Sequence, residues 1–291
     1  MQAERSYLYV PGDRPERLEK AFLRGADQLI VDLEDAVAPA AKDFAVETVL
    51  GWLGTLPVEH APVWVRVNSG ERGRDEMRRF ATEPSVFGFC LPKTETAKGV
   101  READRLISEA VARSGSGAPR EIWLAPLLES AVSVVNVQEI AAAPRVRMLH
   151  IGEVDLAADL GVSAGINGDE FLYVRSLVVI ASRAAKLCAP PAPVSVLIDD
   201  DEAFRTSTEQ LKAMGFAGRA CIHPGQVAIA NAVFTATKDE ISWAKSVLAQ
   251  VGDNAGAFRG EDGSMVDEAV VRRAREIFPP ARTKQGVWRY D

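Results

Sequence analysis

Cysteine is scarce: Cys90, Cys188 and Cys221 are the whole complement, scattered and without metal-ligand spacing. That excludes a disulfide framework and fits a reducing, cytoplasmic setting. Histidine is as thin, and His60, His150 and His223 lie too far apart to form a dense zinc site. No apolar run approaches the ~18 residues of a membrane span, and the first residues carry no apolar signal core. Basic excess is missing too: the formal net charge of -7 argues against a general nucleic-acid or membrane surface while leaving room for a local basic pocket. Neither a GxGxxG turn after a strand, nor a Walker-type loop, nor a Gly-x-Ser-x-Gly elbow occurs.

What the chain does contain is alternation. Eight short apolar runs (7–10, 28–31, 63–67, 86–91, 122–128, 148–151, 194–198 and 220–222) are separated by helical patterns at 15–24, 40–53, 75–82, 95–114, 131–143, 170–187 and 202–214. Such alternation implies parallel strands joined by crossover helices. A (β/α)8 TIM barrel and an open doubly wound sheet both satisfy it, and the placement of polar residues favours the barrel. Every run ends in reactive or charged side chains, and only a barrel gathers all eight strand ends around one mouth. Domain limits follow as a catalytic barrel over 1–225 and a C-terminal helical lid or oligomerisation extension over 226–291.

Two of those ends stand out. Trp123-Leu124-Ala125-Pro126-Leu127-Leu128 breaks at Glu129, and Met148-Leu149-His150-Ile151-Gly152 is followed by Glu153-Val154-Asp155. Carboxylates just past neighbouring buried strands can share one hard divalent cation, leaving positions for water and substrate oxygens. The plainer alternative is that Glu129 and Asp155 cap the helices that follow. Arg66 ends the third run and can grip a substrate carboxylate through paired hydrogen bonds, or pair with a rim acid at rest. Asp32-Leu33-Glu34-Asp35 puts three acids in four residues. Extended geometry would send Asp32 and Glu34 to one side and Leu33 and Asp35 to the other, with one acid free for proton transfer. Arg14, Arg17, Lys20 and Arg24 form a basic stripe after the first strand, suited to phosphates or simply solvated. His150 reads as a satisfied interior histidine, and His223-Pro224 as structural.

In order along the chain, Arg5-Ser6-x-Leu8-x-Val10-Pro11-Gly12, Asp32-Leu33-Glu34-Asp35-Ala36-Val37, Arg66-Val67-Asn68, Leu91-Pro92-Lys93, Leu128-Glu129-Ser130-Ala131, Gly152-x-x-Asp155-Leu156, Cys221-Ile222-His223-Pro224 and Asp262-Gly263-x-Met265-Val266-Asp267 resemble the citrate lyase β-subunit-like branch of the HpcH/HpaI aldolase family. The resemblance implies Mg2+ as cofactor, a homo-oligomer (trimer or hexamer) with exchanged lids, and cleavage or formation of a 3-hydroxyacyl-CoA. Citryl-, malyl- and citramalyl-CoA are the candidate substrates, split into an acyl-CoA and an oxo-acid. It implies Glu129 and Asp155 as metal ligands, Arg66 as the substrate-carboxylate residue, Glu34 and Asp35 as acids lining the site, and Arg14 and Lys20 near the CoA phosphates. Asp267 matches an acid that relatives insert from a neighbouring subunit's lid, and it is the nominated base. Main-chain N–H groups of Gly152 and Val154 are expected to complete the substrate pocket. A malyl-CoA-type thioesterase, or a citrate lyase subunit acting on an acyl-carrier thioester, are the alternatives.

Overall fold

The computed structural model describes residues 4–114, 121–163, 165, 168–251, 257–260 and 263–278, and the backbone of 281–282 and 288–289. Contacts divide the chain into two units, Glu4–Phe234 and a tail from Thr235 onward.

The larger unit is a barrel of eight parallel strands: β1 (Ser6–Pro11), β2 (Gln28–Asp32), β3 (Val63–Arg66), β4 (Val86–Leu91), β5 (Trp123–Leu128), β6 (His150–Ile151), β7 (Pro191–Ala192) and β8 (Gly218–Cys221). They lie in the order β6-β5-β4-β3-β2-β1-β8-β7, so the sheet curls until β6 and β7 come together without ladder hydrogen bonds among the described residues. Helices clothe the outside, among them α1 (Pro15–Leu18), α2 (Lys42–Leu53), α3 (Gly70–Phe80), α4 (Ala97–Ser114), α5 (Ala131–Val135), α6 (Val137–Ala141), α7 (Glu153–Leu160), α8 (Leu172–Ala184), α9 (Asp201–Ala213) and α10 (Pro224–Phe234). Helix α4 shows why they form: Ala97, Val100, Ala103, Leu106, Ile107 and Ala110 recur at helical spacing and are the residues it buries.

Strand alternation builds two cores at once. Outward positions such as Leu29, Val31, Val63, Val65 and Phe89 join the large apolar layer under the helices. Inward positions Tyr7, Ile30, Trp64, Cys90, Ala125 and Met148 fill the barrel itself. One step of two residues further along, the same inward register delivers Tyr9, Asp32, Arg66, Leu127 and His150, and two more deliver Glu129 and Gly152. The polar mouth is therefore the next layer of the barrel interior.

The seventh strand differs from the sequence expectation of 194–198. Val196, Leu197 and Ile198 are exposed, in a loop tied down by Arg219 Nε to the Pro193 carbonyl (3.2 Å) and Gln226 Nε2 to the Ser195 carbonyl (3.1 Å). The pairing falls instead on Pro191 and Ala192, against Gly218 and Arg219. Prolines 190, 191 and 193 disguise that strand, since proline ordinarily argues against a sheet interior. The first helix is also shorter than 15–24: α1 stops at Leu18 and a 3-10 turn, Phe22–Arg24, ends on Gly25 in the left-handed region (φ 71°). Finally α10, placed in the extension by the sequence boundary at 225, packs on α9, β8 and β1 and closes the eighth β/α unit.

The tail unit has its own small core of Ala244, Val247, Val266, Val271 and Ala274. It comprises α11 (Lys238–Val251), a hairpin of β9 (Phe258–Arg259) with β10 (Met265–Val266), and α12 (Glu268–Ile277), which packs on α11. No helix among the described residues is long and apolar enough to cross a membrane.

Candidate active site

A cavity of about 710 Å³ opens where the strands end, lined from every side of the barrel except β4. That is the volume of a small-molecule site, at the face where barrel enzymes keep their chemistry. Its floor holds Tyr9, Asp32, Arg66, Glu129 and His150.

Arg66 is the centre of an ion-pair cluster. Its Nε donates to Asp32 Oδ1 at 2.7 Å while Nη2 donates to Oδ2 in the same fork. Its Nη1 stands 3.1 Å from Glu34 and 3.4 Å from Asp35, and the Tyr9 ring lies under the guanidinium at 5.2 Å. The extended-strand expectation for these acids is therefore corrected. The strand ends at Asp32, whose carboxylate takes the N–H groups of Glu34 (2.8 Å) and Ala36 (3.2 Å) and turns the chain. All three acids then face Arg66, and Leu33 alone goes into the core. Burial opposes the arginine's charge, but Asp32, with Tyr9 and Glu34, holds its pKa above the ordinary value. Burial pushes Glu34 up to about 7, with Asp35 and Glu129 adding to the rise and Arg66 opposing it.

Glu129 and Asp155 sit on the same wall. Neither residue is an N-cap, although Asp155 lies in the first turn of α7, where its charge also suits the helix dipole. Helix α5 is capped by Ser130, in a reciprocal pair with Ser133, and α7 begins at Gly152 with no side-chain cap. Glu129 is buried, which pushes it up to about 7; the charge of Asp155 adds to the rise, and a hydrogen bond from the Lys93 N–H counters it. Its Oε2 lies against Gly152, where a β-carbon would stand 2.8 Å from that oxygen. Register explains the approach: Leu128 pairs with Ile151, so Glu129 and Gly152 follow side by side. Asp155 is exposed to the cavity and has no hydrogen-bond or ion-pair partner among the described residues.

Gly152 does not offer the N–H expected of it. That group donates to the Leu128 carbonyl at 3.0 Å, and the glycine is required for close packing instead. Val154, in the first turn of α7, keeps an N–H with no carbonyl four residues back to receive it. Of the basic stripe, Arg17, Lys20 and Arg24 line the cavity, and none has an ion-pair partner among the described residues. Arg14 is not on the wall: it is exposed, with Nε 3.6 Å from Asp13. Asp267 belongs to the tail unit, where Oδ1 accepts the N–H groups of Ala269 (2.9 Å) and Val270 (3.0 Å) and caps α12, leaving Oδ2 without a partner among the described residues.

Three residues at the site were given no catalytic or binding role from the sequence. His150 is interior, as expected, but its ring meets Tyr7 edge-on at 5.8 Å, lines the cavity and makes no hydrogen bond among the described residues; burial lowers its pKa to about 4. Lys93 adopts φ 50°, gives its N–H to Glu129 and sets Nζ 3.7 Å from Glu34. Glu153 lines the cavity and is forked by Arg175 at 2.6 and 2.8 Å. A lysine in a Pro-Lys turn gives no hint of a left-handed backbone; the arginine 22 residues on could be found only through the fold.

The donor set suits a hard divalent cation. Asp32, Glu34, Asp35, Glu129 and Asp155 outnumber Arg66 and Lys93, and burial, with the neighbouring acids adding to it, raises two of these acids to about 7 despite Arg66. Among the described residues no three His, Cys, Asp or Glu side chains come together as a group that could hold a metal ion. Two carboxylates with open positions resemble a magnesium site more than a structural zinc site.

The family model for HpcH/HpaI aldolase/citrate lyase matches residues 5–224. The chain belongs to that family. A citrate lyase subunit beta-like protein of Deinococcus radiodurans is 32% identical over 288 residues, covering 94% of this chain and 96% of that one. A (3S)-malyl-CoA thioesterase of Cereibacter sphaeroides is 33% identical over 282 residues, covering 95% and 94%. Among solved structures, the CitE protein of Mycobacterium tuberculosis in complex with magnesium, acetoacetate and coenzyme A superposes with a TM-score of 0.75 at 31% identity, covering 94% of this chain and 97% of that one. This family member thus shares its barrel with a protein seen holding a metal, a small oxo-acid and CoA.

Proposed function

We propose that the protein is a Mg2+-dependent carbon–carbon lyase that cleaves, or in reverse forms, a 3-hydroxyacyl-CoA, yielding an acyl-CoA and an oxo-acid. The observation that carries this reading is the pair Glu129 and Asp155 on one wall of the cavity, neither used as a helix cap and both short of cationic partners. Glu129 and Asp155 would hold the ion. Bound there, Mg2+ would supply Lewis-acid polarisation of the oxygen that becomes the oxo-acid carbonyl.

Cleavage removes the hydroxyl proton, breaks the bond between the hydroxyl carbon and the carbon next to the thioester, and leaves the electron pair on that second carbon, which is then protonated. Arg66, with one Nη2 N–H beyond those given to Asp32, orients the oxo-acid carboxylate. The Val154 N–H assists from the start of α7. Glu34 and Asp35 hold the guanidinium in place. Asp267 is assigned as the base that takes the hydroxyl proton, a role supported by its motif and its free Oδ2. Lys20, with Arg17 and Arg24, receives the CoA phosphates; the same stripe suits the phosphopantetheine arm of an acyl carrier. Exposed Leu172 and Tyr173 at the start of α8, with Ile180 two turns on, support a homo-oligomer, a trimer or hexamer with shared lids, checked by light scattering. A cytoplasmic location accords with the free cysteines.

The test is turnover of CoA esters with Mg2+. Glu129→Ala and Asp155→Ala are expected to lose Mg2+ binding by calorimetry and activity by ~10³-fold or more; full activity in both would remove the assignment. The thioesterase reading is favoured by the malyl-CoA thioesterase relative. Product analysis separates the two: hydrolysis releases free CoA and a hydroxy acid, whereas cleavage releases a shorter thioester and an oxo-acid.

A further inference from the structure

Asp155 has no hydrogen-bond or ion-pair partner among the described residues, so the helix that carries it decides where it stands. That helix, α7, is only eight residues long and lightly held. Leu156 is the one side chain it buries, while Val154, Asp155, Ala158, Asp159 and Leu160 are exposed. Gly152, at its start, supplies no side-chain cap. Near the far end Asp159 takes the Ala131 N–H at 2.7 Å. At the near end the lateral tie is Glu153.

Arg175 makes that tie from α8. Its Nε and Nη2 fork the two carboxylate oxygens of Glu153 at 2.6 and 2.8 Å, and its Nη1 donates to the Gly168 carbonyl at 3.1 Å. The guanidinium also lies over the Phe171 ring, 5.7 Å from its centroid. The fit is close, since a β-carbon on Gly168 (φ 63°) would stand 2.6 Å from Nη2. Helix α8 is seated in the main core through Val174, Val178 and Ala181, so the bridge joins a firmly packed helix to a loosely packed one. Both side chains are only 13% exposed. A pair this buried adds little net stability over an apolar pair of similar volume, because desolvation offsets the attraction. What a fork adds is geometry: two parallel hydrogen bonds fix distance and orientation together, which a lysine cannot do. Glu153 lines the cavity and Arg175 does not.

We infer that Arg175, acting through Glu153, is a positioning residue for the metal wall: it sets the start of α7 so that the Asp155 carboxylate can share one cation with Glu129. The inference rests on the metal site of the lyase reading and deepens it, making that site depend on a residue outside the cavity.

Two variants of the full-length protein test this. Arg175→Lys keeps the charge and loses the fork. Glu153→Leu combined with Arg175→Met replaces the pair by apolar side chains and leaves no loose acid behind. Each is titrated calorimetrically with MgCl2 alone, and its thermal unfolding is followed without metal. The paired replacement should unfold close to the parent temperature. Both variants should nevertheless bind Mg2+ about 10–100-fold more weakly, and the Mg2+ concentration that half-saturates turnover should rise by the same factor. A bridge that served only the fold would let Mg2+ affinity return with stability, so parental affinity in the paired replacement would overturn the inference. Should that variant fail to fold, Arg175→Lys decides alone, and parental affinity there would overturn it equally. Normal Mg2+ binding by the parent without turnover of any CoA ester would remove the lyase reading and leave the inference standing. No Mg2+ binding by the parent would overturn both.

Discussion

At Lys93 the backbone enters the left-handed region at φ 50°, a conformation that costs a non-glycine residue about 1–3 kcal/mol. The strain is held at the point where the N–H turns toward Glu129. Lys93→Gly keeps that N–H and relieves the strain, so denaturation should show stability unchanged or raised by up to about 1 kcal/mol and calorimetry an unchanged Mg2+ affinity. Lys93→Val, β-branched at a positive φ, should lose about 1–3 kcal/mol and weaken Mg2+ binding. The two raised acids set a pH window. Because Glu34 and Glu129 titrate near 7 in the fold against an ordinary 4.5, the metal-free protein gains stability from their neutral forms below about 4.5 and loses it as pH rises through 7. Urea unfolding without metal should report that loss between pH 5 and 8, reduced in Glu129→Gln. Mg2+ affinity should climb over the same window with proton release. That Glu129 and Asp155 reach the cavity was legible because carboxylates follow the apolar runs of neighbouring strands. The occupied N–H of Gly152 was not, because its acceptor, the Leu128 carbonyl, lies on another strand.

Among the elements, α12 poses a separable question, since its N-cap is also the nominated base. Asparagine caps as well as aspartate but does not take a proton at neutral pH. Asp267→Asn should therefore leave thermal stability within about 0.5 kcal/mol of the parent and lower kcat by ~10²–10⁴-fold. Asp267→Ala should lose the activity and about 1 kcal/mol besides. A normal kcat in Asp267→Asn would assign the residue to the cap alone. Elements with plain periodicity, such as α4 and β2, were readable to within two residues at their ends. The seventh strand was not, because local composition gave Val194-Ser195-Val196-Leu197-Ile198 the better strand pattern, while pairing with Gly218 and Arg219 decided for Pro191 and Ala192.

Across the whole molecule, the eightfold alternation of strand and helix makes the barrel legible, since each unit repeats the same signal. Where the barrel stops was less so: the count of strands is complete at the eighth, yet α10 still belongs to the barrel. Every residue lining the cavity lies within Glu4–Phe234. A chain ending at Phe234 is therefore expected to bind Mg2+ with the affinity of the full protein and to lose turnover, because Asp267 goes with the tail. Retained turnover would transfer the base to the barrel. One contact has a use beyond this chain: the space beside Glu129 Oε2 admits hydrogen and nothing larger at position 152. In surveys of genomes, a homologue keeping Glu129 and Asp155, the two proposed ligands, but carrying alanine or serine at that glycine is expected to hold the glutamate elsewhere and to bind Mg2+ more weakly.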